Sequence, residues 1–143
     1  MKIVTALIVA VAALAIGAAP VQAAPVQRAD HVWCFARALP PVKTAYGSVA
    51  PIRYGYTLHC EPHPPALIAI RVKLWRFDFN RVETFEHTSH TIFSPNYDRD
   101  TYLYASCSHA SVRYAFHTEV ILDGINGNPG EHSDNSSVEQ MTC

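Results

Sequence analysis

From Ile68 to Trp75 the chain alternates without a break, with Ile68, Ile70, Val72 and Leu74 on one phase and Ala69, Arg71, Lys73 and Trp75 on the other. A period of two sends successive side chains to opposite faces of a strand, so this segment buries one row and turns an amphipathic row outward. A helix cannot use the pattern, because its same-face neighbours are three or four residues apart. The segment therefore predicts a half-buried antiparallel strand and obliges the rest of the chain to supply partners on both sides.

The same period recurs along the chain. Val32, Cys34 and Ala36 share a face, as do Ile52, Tyr54, Tyr56, Leu58 and Cys60, opposite Arg53, Thr57 and His59. Val112, Tyr114, Phe116, Val120 and Leu122 oppose Arg113, His117 and Glu119. Further strands are expected over Val82 to Phe93, Tyr102 to Cys107 and Ser136 to Thr142. Breakers separate them. Pro40-Pro41 and Gly47 end the first strand, Pro62, Pro64 and Pro65 end the second, and Asn80-Arg81 turns the third into the fourth. Asp123 to Gly130 is rich in turn formers, including Asp-Gly and Asn-Gly, and reads as a flexible loop. About seven strands and no helical period after the N-terminal segment predict one all-β domain. An antiparallel two-sheet sandwich is the simplest arrangement, an Ig-like topology fits the strand count, and a small closed barrel is the alternative.

The N-terminus has a different character. Lys2 precedes an apolar run from Thr5 to Ala15, followed by Gly17, Pro20 and Val21-Gln22-Ala23. These are the charged, hydrophobic and small-residue parts of a secretory signal peptide. Residues 1–23 are thus expected to form a signal helix that is removed, 24–30 a flexible segment, and 31–143 the β domain. No second apolar span follows that would anchor the mature chain in a membrane. The expected location is secreted or extracellular, in contact with the envelope or free of it. Without Lys2 the mature chain carries ten basic residues against twelve acidic ones. That balance lacks the basic field needed to hold nucleic acid, which is excluded as a partner.

Cys34, Cys60, Cys107 and Cys143 all fall in the mature region. An even number of cysteines in a small exported domain reads as disulfides, and the wide spacings do not suit a zinc site built on close cysteine pairs. The strand layout favours sequential pairing, Cys34 with Cys60 on neighbouring strands and Cys107 with Cys143 around the C-terminal hairpin.

Taken together, Cys60 ending a strand, the strand Ile70-Arg71-Val72-Lys73-Leu74-Trp75-Arg76, Cys107 ahead of the strand bearing Tyr114, and the closing Cys143 resemble small exported proteins of actinobacteria, mostly uncharacterised. The resemblance spans roughly residues 31 to 143. It implies a cysteine-bridged β-sandwich and transfers no catalytic residue.

No motif assembles a catalytic centre. The chain has eight histidines, and His59, His63, His87 and His90 are the candidates for a metal site, since imidazole is the common ligand for zinc and copper. His87 and His90 diverge on a regular strand unless a bulge intervenes, and His59 and His63 straddle Pro62. Trp33, Phe35, Trp75 and Phe77 lie on the phases opposite the inward rows, so Trp33, Trp75 and Phe77 are candidates for a binding patch. The leading expectation is a non-enzymatic exported module without a cofactor. It would act through sheet faces or loops on an extracellular protein or glycan. The alternatives are a histidine-dependent metal protein or metalloenzyme and an inhibitor of an extracellular hydrolase.

Overall fold

A computed structural model of the chain describes residues 32–64, 68–107, 112–125 and 132–143. The expected signal peptide and the segment 24–30 lie outside the described residues, as does most of the 123–130 loop. Eight strands follow in order: β1 (Trp33–Lys43), β2 (Ile52–Glu61), β3 (Ile68–Asp78), β4 (Glu83–Ile92), β5 (Asp100–Ala105), β6 (Arg113–Ile125), β7 (His132–Asn135) and β8 (Glu139–Thr142). They form two antiparallel sheets. One has the order β1-β2-β5; the other has the order β4-β3-β6-β7, with β8 also paired to β6. Among the described residues no helix is long and apolar enough to cross a membrane.

The core is the meeting of the inward rows. Ile52, Tyr54, Tyr56 and Leu58 from β2 face Ile70, Val72 and Leu74 from β3 and Phe116, Val120 and Leu122 from β6, all fully buried. Each fully buried side chain of this kind contributes about 1.5–3 kcal/mol relative to exposure. Burial also pushes the Tyr54 phenol up to about 12.

The breaker residues act less sharply than the sequence suggests. Pro40 and Pro41 do not end the first strand; they lie within it. The register steps from Leu39 opposite Gly55 to Val42 opposite Arg53, so one extra residue is taken up as a bulge. Proline is tolerated there because β1 is an edge strand, where a missing donor costs no ladder bond. The expected final strand from Ser136 to Thr142 is shorter, β8 alone, and an unexpected strand, β7, precedes it, which makes eight strands instead of seven. Both lie along β6, with Asn135 opposite Glu119 and Glu139 opposite Phe116. Four residue steps on the edge therefore span three on β6. At the break, Ser136 exchanges bonds with Thr118, its N–H donating to the Thr118 carbonyl and its Oγ accepting from the Thr118 N–H, each at 2.9 Å. The turn-rich Asp123-Gly124-Ile125 continues β6 instead of opening the loop, with a register shift where Ile68 pairs Ile125 and Ala69 pairs Asp123.

Four links tie this framework together. The Cys34–Cys60 disulfide joins directly opposed residues of β1 and β2. The Cys107–Cys143 disulfide joins the end of β5 to the end of β8, and so connects the two sheets. Asp134 on β7 accepts the Ala38 N–H of β1 at 2.8 Å, filling an edge that would otherwise be open to another chain. On the other flank, His87 of β4 and the Ser106 carbonyl beyond β5 are 3.0 Å apart, with Nε2–H as donor.

Candidate functional site

The outer face of the three-stranded sheet is built by the phase that β1, β2 and β5 do not bury. Its rows follow from the register: Trp33 beside Glu61, Phe35 beside His59, Arg37 beside Thr57 and Asp100, Leu39 beside Gly55 and Tyr102, and Val42 beside Arg53 and Tyr104. Four aromatic rings stand out from it, with Trp33 68%, Phe35 56%, Tyr102 40% and Tyr104 61% exposed. They form two pairs at opposite ends of the face. A polar belt runs from the row of Arg37, Thr57 and Asp100, which lies between the pairs, to His59 beside Phe35 and its partner Asp98.

That belt is organised before any ligand arrives. His59 sits between two carboxylates, Nδ1 2.5 Å from Asp98 and Nε2 3.0 Å from Glu61. The Asp98 bond, and then the Glu61 bond, hold the imidazole above its usual range and favour its charged form. Asp98 reaches His59 because its backbone adopts a left-handed conformation, φ 57°, and its N–H donates to the Leu58 carbonyl at 2.8 Å. Asp tolerates that region better than most residues. At the other end the Arg53 guanidinium lies 4.5 Å from the Tyr102 ring centre, and the Tyr102 hydroxyl donates to Asp100 at 2.7 Å. Gly55 occupies the middle of the sheet because β2 and β5 approach closely there: a Cβ would stand 2.0 Å from the Thr101 carbonyl oxygen.

The outer face of the larger sheet carries the other two aromatic candidates, in a different state. Trp75 and Phe77 are half-buried. The Trp75 indole N–H donates to Glu119 at 2.7 Å, its ring stacks on His117 with centres 6.4 Å apart, and Lys73 Nζ lies 5.2 Å from the ring centre. Lys73 also lies 3.6 Å from Glu86 and 3.8 Å from Glu119, and Arg71 pairs with Asp123 at 2.7 Å. Phe77 packs edge-on against Phe79 at 5.2 Å. These rings are committed to neighbours in the same chain.

The histidine candidates are scattered. His59 is part of the belt, and His63 is exposed beyond the cis Glu61–Pro62 bond. A bulge does intervene on β4: Thr88 opposes Leu74 and Glu86 opposes Trp75, which leaves His87 as the extra residue. Its ring then packs edge-on against Phe116 at 5.7 Å, while His90 stays exposed. Burial lowers the affinity of His87 for a proton, and that of His117 likewise. The two carboxylates beside His59 occupy opposite ring nitrogens, a geometry that forms a hydrogen-bonded string and does not converge on one ion. Among the described residues no group of three or more His, Cys, Asp or Glu is placed to hold a metal ion.

Tyr102 and Tyr104 are the aromatic members of the outer face that sequence reasoning missed. The alternation of Tyr102 and Tyr104 with Leu103 and Ala105 signals a shared face, yet only the pairing of β5 with β2 sets that face beside Trp33 and Phe35. No protein-family model, curated relative or solved structure matches this chain.

Proposed function

We propose that the protein is an exported, non-enzymatic binding module that recognises its ligand through the outer face of the three-stranded sheet. The observation that supports this reading best is the concentration of Trp33, Phe35, Tyr102 and Tyr104 as exposed rings on one face of a disulfide-bridged scaffold. Soluble proteins rarely leave such rings open together without a contact for them to make, and aromatic side chains give large contact area at small cost in conformational entropy. Two disulfides fit an oxidising compartment outside the cytosol, in keeping with the signal-like N-terminus. The scaffold matters because recognition residues work best when the elements beneath them are rigid.

Two measurements test the proposal. Mass spectrometry of the protein recovered after export should find a chain beginning near Ala24 and four hydrogens lighter than its reduced form, as two disulfides require. That protein should then be retained by isolated cell-envelope material, and a Trp33→Ala/Tyr104→Ala variant should not. Equal retention of both proteins, or of neither, overturns the reading.

A further inference from the structure

We infer that the ligand of this face is an uncharged, extended glycan chain, an inference that rests on the binding-module reading above. Three observations point there. The first is the layout. A protein–protein contact of ordinary anatomy has an apolar centre and a polar rim, whereas here the centre is polar and the rings lie at the two ends. A sugar chain asks for that order, because the C–H faces of its rings pack on aromatic faces while its hydroxyls need donors and acceptors between them.

The second observation is charge. Two fixed cations, Arg37 and Arg53, stand with three carboxylates, Glu61, Asp98 and Asp100; the His59 ring is bonded between Asp98 and Glu61, and Tyr102 engages Asp100 and Arg53. A face without an excess of positive charge has no field to attract an anionic polysaccharide or an acidic lipid surface. It does hold fixed donors and acceptors for neutral hydroxyl groups.

The third is shape. The rows from Glu61 to Arg53 cover eight residue steps of β2, roughly 27 Å along the strand, and the face is three strands or roughly 10 Å across. That is a long, narrow track, able to accept several consecutive rings of one extended chain. Trp33 and Phe35 would seat one end of the chain and Tyr102 and Tyr104 the other, with Arg37, Thr57 and Asp100 directed at the hydroxyls between.

The test uses the full mature protein and uncharged hexasaccharides of β-1,4-linked glucose, β-1,4-linked mannose and α-1,4-linked glucose, with hyaluronan as the anionic probe. Binding is read by calorimetry and by the fluorescence of Trp33 in a Trp75→Phe background. At least one neutral hexasaccharide is expected to bind saturably and with little dependence on salt. Affinity should fall roughly tenfold or more with Trp33→Ala and again with Tyr104→Ala, while Val82→Ser, at an exposed apolar residue in the β3–β4 turn of the larger sheet, leaves it unchanged. The glycan inference is overturned if no neutral hexasaccharide binds, if hyaluronan binds better, or if binding survives loss of both rings. Protease treatment of the envelope material separates this failure from that of the broader reading. If retention depends on the rings but disappears with protease, the module stands and its ligand is a protein. Self-association that buries Trp33, seen by analytical ultracentrifugation of wild type but not of Trp33→Ala, would assign the face to a second copy and overturn the glycan inference as well.

Discussion

The two outward faces of this sandwich carry similar residues and treat them differently. On the larger sheet, Trp75 is held by Lys73 of its own strand and by Glu119 and His117 of β6, and Phe77 packs on Phe79. On the smaller sheet, Trp33 and Phe35 belong to an edge strand and Tyr102 and Tyr104 to the opposite edge, with Gly55 between them. An aromatic ring on an outward phase is thus a structural side chain or an available one according to its lateral neighbours. At Trp75 the strands on both sides present such neighbours, Glu86 from β4 and His117 and Glu119 from β6.

The strongest way to disturb this contrast is to cut the bridge between the sheets. Replacing Cys107 and Cys143 by serine is expected to cost about 2–4 kcal/mol, measured by urea unfolding, and to loosen the ends of β5 and β8 together in hydrogen exchange. Cutting Cys34–Cys60 should cost a similar amount and loosen β1 alone, because that bridge lies within one sheet. If both variants lose protection in the same segments, the two bridges do not divide the work in this way.

A smaller change is aimed at the exposed face alone. Gly55→Ala places a methyl group against the Thr101 carbonyl and is expected to destabilise the domain by about 1–3 kcal/mol. It should shift β5 away from β2 and increase the solvent exposure of Tyr102, while the Trp75 environment stays unchanged in near-ultraviolet circular dichroism. The two tryptophans then sharpen the comparison. Trp75→Ala should cost on the order of 2 kcal/mol, since it removes packing and a hydrogen bond to Glu119. Trp33→Ala should change stability by less than about 0.5 kcal/mol, as expected of an exposed site. Equal costs would mean that Trp33 is also a structural ring.

The smallest effects come from the histidines, which should titrate in opposite directions. His59, held by Asp98 and Glu61, should have its midpoint above the usual 6.5. Its contribution to stability is full below pH 6.5 and is lost as pH rises through the folded midpoint. His87 and His117, half-buried, should titrate below 6.5 because burial disfavours their charged form. Their contribution is full above that value and declines as pH falls through the folded midpoints. Ring-resolved NMR titration reads all three, and a His59 midpoint below that of His87 would remove the argument for an organised polar belt.

Much of the fold was legible because it is written in local terms. The inward rows of β2, β3 and β6 follow from alternation alone, since the pleat fixes the period at two whatever the partner strand. The proline and glycine signals were less faithful. Pro40-Pro41 remained inside β1 because an edge strand needs no donor on its free side, and Asp123 to Ile125 remained inside β6 because β3 offered it a partner. β7 was not legible, because the short polar segment His132–Asn135 carries no apolar alternation and is a strand only through its pairing with β6.

What the sequence determined by itself was the phase of each strand, and with it the identity of the core and the fact that Trp33, Phe35, Trp75 and Phe77 face away from it. What only the tertiary structure decided was who stands beside whom: β2 between β1 and β5, Tyr102 and Tyr104 on the same face as Trp33 and Phe35 but at its other end, Asp98 against His59, and Glu119 and His117 against Trp75. The reason is physical. Phase is a property of one backbone and is set residue by residue, whereas lateral neighbours are set by pairing between strands far apart in the chain, which a single strand's pattern does not encode.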